Sequence, residues 1–218
     1  SAPACRISQG TMVESNLIFI AVLASRADRS VRTCPSTSWM ARSTVALELE
    51  IPVDEIRAST PLLQLPSLRQ ELYSIDGVEL VLDCYNASPP SVEGAIADLG
   101  STAASRKLAV LGTMEELGAD EAEYHRQMGQ ACAKSGIDHL WCVGRGAHWL
   151  HEGAQSAGGS SSILPRDDQG VACLQSELQS GDRVLFKASR KEALETLAHD
   201  LKNRMEERLA MEKGGARE

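Results

Sequence analysis

The sequence predicts an α/β fold, and three observations carry the prediction. Short aliphatic runs alternate with longer helical stretches from about residue 76 to residue 212, the pattern of a parallel sheet with helices on both faces. The runs end in glycine or in polar residues before the next helical stretch begins. Aromatic residues make up only 4% of the chain, so the core must be aliphatic, as in sheets covered on both sides. The expected architecture is a Rossmann-like three-layer domain with a mostly parallel sheet over 67–212. A short irregular and helical N-terminal segment precedes it.

Residues 1–40 are irregular and carry no domain pattern. Leu17-Ile-Phe-Ile-Ala-Val-Leu23 reads as one strand. Arg26, Arg29 and Arg32 fall near one another on a helix, as a phosphate site would need, but a solvated basic stretch is the favoured reading. Residues 41–66 read as helical. Val45, Leu47 and Leu49 belong to a short helix, and Pro52 with Asp54 and Glu55 opens a turn whose acids suit the helix dipole. Pro61 and Pro66 then make a linker. Gln70–Ser74 and Val78–Leu82 flank Asp76-Gly77, a hairpin signal.

At Asp83 the apolar run stops, and a polar loop leads to Pro89-Pro90, where proline pre-sets the first helical turn. Asp83, Tyr85, Asn86 and Ser88 therefore lie on a strand-to-helix loop at the carboxyl end of a strand, the edge where open α/β sheets bind ligands. Val92–Ala104 is a helix and Lys107–Leu111 a strand ending at Gly112. Glu121–Lys134 is a helix closed by Ser135-Gly136, and His139–Val143 a strand ending at Gly144. A helix over Ala147–Gly153 and a flexible surface loop over Gly158–Ser162 follow. Ile163-Leu164 is a small strand, Gly170–Gln179 a helix and Asp182–Phe186 a strand. Lys191 to about Met211 is a long charged helix, and 213–218 form a tail.

A net charge of −8 argues against nucleic acid as a partner, because backbone binding needs clustered Lys and Arg. The longest apolar run, Leu17–Ala24, is far short of the roughly 20 residues of a membrane span. A secretory leader is the lesser alternative, because only Arg6 and Glu14 precede that run. Six cysteines occur with no Cys-x-x-Cys pair, which fits free thiols in a reducing cytoplasm.

The topology gathers Asp83–Ser88, Gly112–Glu116, Gly144–Gly146 and Lys187–Arg190 at one edge. On residue types alone, Asp83 and Asn86 read first as caps of the following helix. Lys187, Ser189 and Arg190 place two cations and a hydroxyl directly after a strand. They suit a carboxylate or phosphate, since cations at a helix start otherwise oppose its dipole. Adjacent Glu115 and Glu116 do not face each other and read as surface residues. His148 and His151 share a helix face, with no third metal ligand evident. His125 reads as a surface or half-buried helix residue.

Asp83-Cys-Tyr-Asn-Ala-Ser-Pro89 resembles the start of the C-terminal domain of the Mur ligases. Three further segments resemble that domain in order: Leu108-Ala-Val-Leu-Gly-Thr-Met-Glu-Glu-Leu-Gly118, Gly136-Ile-Asp-His-Leu-Trp-Cys-Val-Gly144 and Val184-Leu-Phe-Lys-Ala-Ser-Arg190. The likeness is strongest to the branch that adds D-alanyl-D-alanine to UDP-N-acetylmuramoyl-tripeptide in the cytoplasm. Residues 51–57 resemble the end of the family's central domain. The resemblance implies that Asp83, Tyr85 and Asn86 contact the adenine and ribose of ATP. It implies that the loop with Lys187, Ser189 and Arg190 meets the amino substrate. Ser88, Thr113 and Ala188 stand where the family has Asn, Asp and Gly.

The family's amide bond forms through an acyl phosphate, which requires ATP, Mg²⁺ and a Gly-x-x-x-x-Gly-Lys-Ser/Thr loop. No such loop occurs in the 218 residues. The chain is therefore expected to be a ligase C-terminal domain that does not ligate alone and needs a central and an N-terminal ligase domain. The alternatives are a nucleotide- or anion-binding module without chemistry, and a relic without a ligand.

Overall fold

The computed structural model describes residues 52–55 and 67–215. The strand and basic stretch expected over residues 1–40, and the helical segment expected over 41–66 apart from residues 52–55, lie outside the described residues. Two strands open the fold: β1, Glu71–Ile75, and β2, Val78–Leu82. They pair antiparallel with Ile75 opposite Val78. The turn between them, Asp76-Gly77, has φ of 51° and 76°, both left-handed, as a two-residue turn matched to strand twist requires.

Helix α1 spans Pro89–Ser101. It starts three residues before the expected Val92, because the two prolines occupy its first turn rather than preceding it. The Ser91 hydroxyl accepts the Ser88 N–H at 3.0 Å and donates to the Ser88 carbonyl at 2.9 Å. Next come β3, Arg106–Leu111, α2, Glu121–Lys134, β4, His139–Cys142, and α3, Ala147–Ser156. Then follow β5, Ser161–Ile163, α4, Asp168–Glu177, and β6, Asp182–Lys187. The last helix, α5, runs from Leu194 to Gly215, so it begins later than Lys191 and continues into the expected tail. A 3₁₀ turn over Arg190–Glu192 and a left-handed Ala193 (φ 46°) displace its start.

One correction concerns Gly158–Ser162, expected as a flexible loop. Ser161 and Ser162 are paired in β5, opposite Leu140 and Trp141. Their polar side chains are tolerated because His151 bonds the Ser161 hydroxyl at 2.9 Å and His139 bonds that of Ser162 at 3.0 Å.

The six strands lie in the order β1-β2-β6-β3-β4-β5, with only β1 antiparallel. Successive side chains on a strand face opposite sides, and the buried residues divide accordingly. Leu80, Leu82, Leu108, Val110, Val184 and Phe186 pack with α4 and α5. Val81, Ala109, Leu111, Leu140 and Leu185 pack with α1, α2 and α3. Helix α4 is capped by Asp167, whose Oδ1 accepts the N–H groups of Gln169 (2.9 Å) and Gly170 (3.2 Å). Asp167→Ala is expected to cost about 1 kcal/mol in chemical denaturation, the usual worth of such a cap.

Candidate functional site

The connection after β2 lies on one face of the sheet and the connection after β6 on the other, while that after β3 returns to the first. The chain thus diverges on both sides of β6 at the carboxyl edge, the position of a ligand crevice in such sheets. The loops Asp83–Ser88, Lys187–Arg190 and Gly112–Glu116 meet there.

Register determines what they do to one another. Leu82 pairs with Phe186, and the Asp83 N–H continues the ladder to the Phe186 carbonyl at 2.9 Å. Asp83 and Lys187 are therefore level, and both follow Val81 and Leu185 onto the α1 side. The Lys187 ammonium donates to Asp83 Oδ2 at 2.7 Å and to the Asn86 carbonyl at 3.0 Å. Its side chain is only 3% exposed and that of Asp83 16%, so water cannot replace the pairing for the ammonium. Lys187 ends β6 as an internal strut rather than standing free in the following loop.

Ser189 is buried too. Its hydroxyl accepts the Glu115 N–H at 2.9 Å and donates to the Ala87 carbonyl at 3.4 Å, while its own N–H bonds the Thr113 carbonyl at 3.0 Å. Ser189 thus ties all three loops. Thr113 is buried, with Oγ1 accepting the Gly146 N–H at 3.1 Å. Ala188 is also buried, and a Cβ on Gly112 would fall 2.7 Å from its methyl group. Arg190 is exposed and paired with Glu195 at 2.5 Å.

Tyr85 and Asn86 are exposed on the first loop. The Asn86 side chain accepts the Ala87 N–H at 2.9 Å. Tyr85 carries the Arg69 guanidinium over its ring, 4.1 Å from the centroid, and its N–H bonds the Leu68 carbonyl at 3.0 Å. Among the described residues, Arg69 is the one arginine for which no ion pair with a carboxylate is seen, and its charge is carried on the Tyr85 ring instead. Sequence reading missed it. The signal available was its place just before a strand that pairs with β2.

His125 corrects the reading of a surface or half-buried residue: it is fully buried, and its Nε2 accepts the Met114 N–H at 2.9 Å. The helix face it occupies looks inward because α3 packs across it. His148 lies against the Trp149 ring, whereas His151 bonds Ser161. No group of three or more metal-ligating side chains occurs among the described residues. Three carboxylates at this edge are paired with cations, Asp83 with Lys187, Glu115 with Arg145 and Lys191, and Glu195 with Arg190. Paired in this way, these three carboxylates do not present a ligand set for Mg²⁺ among the described residues. The Cys84 thiol donates to the Phe186 carbonyl at 3.4 Å, and burial pushes it well above the ordinary thiol range, so it is no nucleophile. No described helix is long and apolar enough to cross a membrane.

Comparison with known proteins gives a consistent answer. The family described as "Mur ligase, glutamate ligase domain" matches residues 68–190. The UDP-N-acetylmuramoyl-tripeptide–D-alanyl-D-alanine ligase of Bacillus subtilis is 32% identical over 143 residues, covering 64% of this chain and 31% of that protein. Its counterpart in Mycobacterium bovis is 30% identical over 190 residues, covering 76% and 37%. Among solved structures, the MurF ligase from Thermotoga maritima in complex with ADP has a TM-score of 0.61 at 27% identity, covering 76% of this chain and 37% of that one. MurF from Acinetobacter baumannii has a TM-score of 0.64 at 27% identity, covering 77% and 36%. The chain spans about a third of the length of these relatives. The matched residues run from the turn before β1 through the loop after β6, the whole of the sheet and the loops at its carboxyl edge, and the chain belongs to the Mur ligase family through this domain.

Proposed function

We propose that this chain supplies the C-terminal part of an ATP-dependent peptidoglycan-precursor ligase that joins D-alanyl-D-alanine to UDP-N-acetylmuramoyl-tripeptide in the cytoplasm. The observation that carries this reading is the joining of the two half-sites through Lys187 and Asp83. The nucleotide half is Asp83, Tyr85 and Asn86, with Arg69 added by its place over the Tyr85 ring. The amino-substrate half is Lys187, Ser189 and Arg190. Within it Lys187 acts through Asp83, Ser189 sets the loop, and Arg190 is the cation that can reach a carboxylate after leaving Glu195.

ATP, when bound, supplies the phosphoryl group that activates the acid substrate. The residues present here hold and orient. The 218 residues contain no phosphate-cradling Gly-x-x-x-x-Gly-Lys-Ser/Thr loop, and the described residues no cluster of metal-ligating side chains. By itself the domain is therefore not expected to form the amide bond, which needs the ligase's central and UDP-substrate domains.

Titration of the chain with ATP and, separately, with D-alanyl-D-alanine tests the reading by backbone NMR. ATP is expected to shift Asp83–Asn86 and Arg69, and the dipeptide Lys187–Arg190. Arg69→Ala should weaken the ATP response about tenfold, the worth of one charge-assisted contact. Shifts scattered away from the edge, or none at millimolar ligand, count against it.

A further inference from the structure

His125 lies on the second turn of α2 with no exposed surface. Its Nδ1 lies 2.7 Å from the Glu121 carbonyl and its Nε2 2.9 Å from the Met114 amide nitrogen. A carbonyl only accepts and an amide N–H only donates, so Nδ1 carries the proton and Nε2 presents its lone pair. The ring is neutral in this arrangement. Its edge lies against the turn before α3, where a Cβ on Gly146 would meet ring atoms at 2.5 Å. The Trp149 ring sits 5.8 Å away. One imidazole thus joins the β3–α2 loop, the start of α2 and the β4–α3 turn.

The loop it holds is the loop that holds Ser189. Glu115, next to Met114, donates its N–H to the Ser189 hydroxyl, and Thr113 accepts the Ser189 N–H. We propose that His125 is a positioning residue of this edge: its neutral ring latches the β3–α2 loop through Met114, and uptake of a solvent proton at Nε2 releases the loop. That the edge takes a ligand rests on the reading above; the latch does not.

The reason is a conflict of donors. A proton on Nε2 points at the Met114 N–H, and two donors cannot share a bond, so a buried amide loses its acceptor. The groups that face the ring are Glu121 on α2, Arg145 on the β4–α3 turn and His148 on α3, with Glu115 on the loop tied to Arg145. Burial holds the imidazole below its ordinary range against the pull of Glu121, and Arg145 and His148 act in the same direction as burial. The native ring therefore titrates below the unfolded value of about 6.5. Between the two values the unfolded chain binds more protons, so stability falls as pH falls through that window and is level above it.

The test is a pH titration of the full chain by NMR, following the His125 ring nitrogens and the Thr113, Met114 and Glu115 amides together. At neutral pH, Nε2 should be unprotonated and the Met114 amide protected. Below about 6.5 the ring and the Met114 resonance should move with one midpoint, and amide exchange at Met114 should rise about tenfold. His125→Gln supplies an acceptor oxygen that does not titrate, and it should keep Met114 protected across the range. His125→Phe should leave Met114 unprotected at every pH. A ring that titrates while Met114 stays still, a ring that remains neutral until the chain unfolds in acid, or wild-type protection in His125→Phe overturns the proposal. Failure of ATP to bind at any pH would remove the reading of the edge and leave the latch intact.

Discussion

Lys187→Met is expected to lower stability by about 3 kcal/mol, near the lower end of the cost of breaking a buried ion pair from one side. Methionine fills much the same space but leaves the Asp83 carboxylate and the Asn86 carbonyl without their donor. The Asp83 side chain is 16% exposed, so water recovers part of the loss and the largest values for such breaks do not apply. At roughly 2–4 °C per kcal/mol for a domain of this size, the melting temperature should fall by about 6–12 °C. Asp83→Asn combined with Lys187→Met should cost less than the two single changes summed, by about 1–3 kcal/mol, since the partners are in contact. Simple additivity would mean that the pair does not join the two loops energetically. In the ligase reading the same variant should also reduce the ATP-induced shifts at Asp83–Asn86, because the loop loses its strut.

The second large effect is expected at the crossing of α2 and α3, which approach through a reciprocal pair of glycines. A Cβ on Gly129 would lie 2.1 Å from the Leu150 carbonyl oxygen, and one on Gly153 would lie 2.1 Å from that of Arg126. The obstructing atoms are backbone, which cannot rotate away as a side chain can. Gly129→Ala should therefore force the helices apart and destabilise the domain by about 3 kcal/mol, the upper range for overpacking. Helix propensity alone predicts the opposite sign, a gain of about 1 kcal/mol. Gly94→Ala in α1 is the matched control, because nothing lies within 4 Å of its added methyl. That variant should gain about 0.5–1 kcal/mol. Equal denaturation midpoints for the two variants would show that the close approach is not required. The crossing also bears on the site, because α2 carries His125 and the turn before α3 supplies Gly146.

The order and type of the elements were legible because they depend on local physics. Alternating aliphatic runs and the Asp76-Gly77 turn specify strands and a hairpin, and Glu121–Lys134 has its expected bounds. The loop Asp83–Ser88 was placed at the carboxyl edge for the same reason. Where boundaries moved, a local device with two readings was involved, as with the prolines that start α1 and the left-handed Ala193 that delays α5. The serines of β5 read as a loop because their partners, His139 and His151, lie on other elements.

The residue pattern alone specifies the α/β class, the helices on both faces and the set of loops that share one edge. Long-range packing, by contrast, inserts β6 between β2 and β3 and so brings Lys187 level with Asp83 across 104 residues. The same packing buries His125 and seats Arg69 on Tyr85. A hydrophobic period records which face of an element is covered but not what covers it, and hydrogen bonds between distant segments leave no period at all.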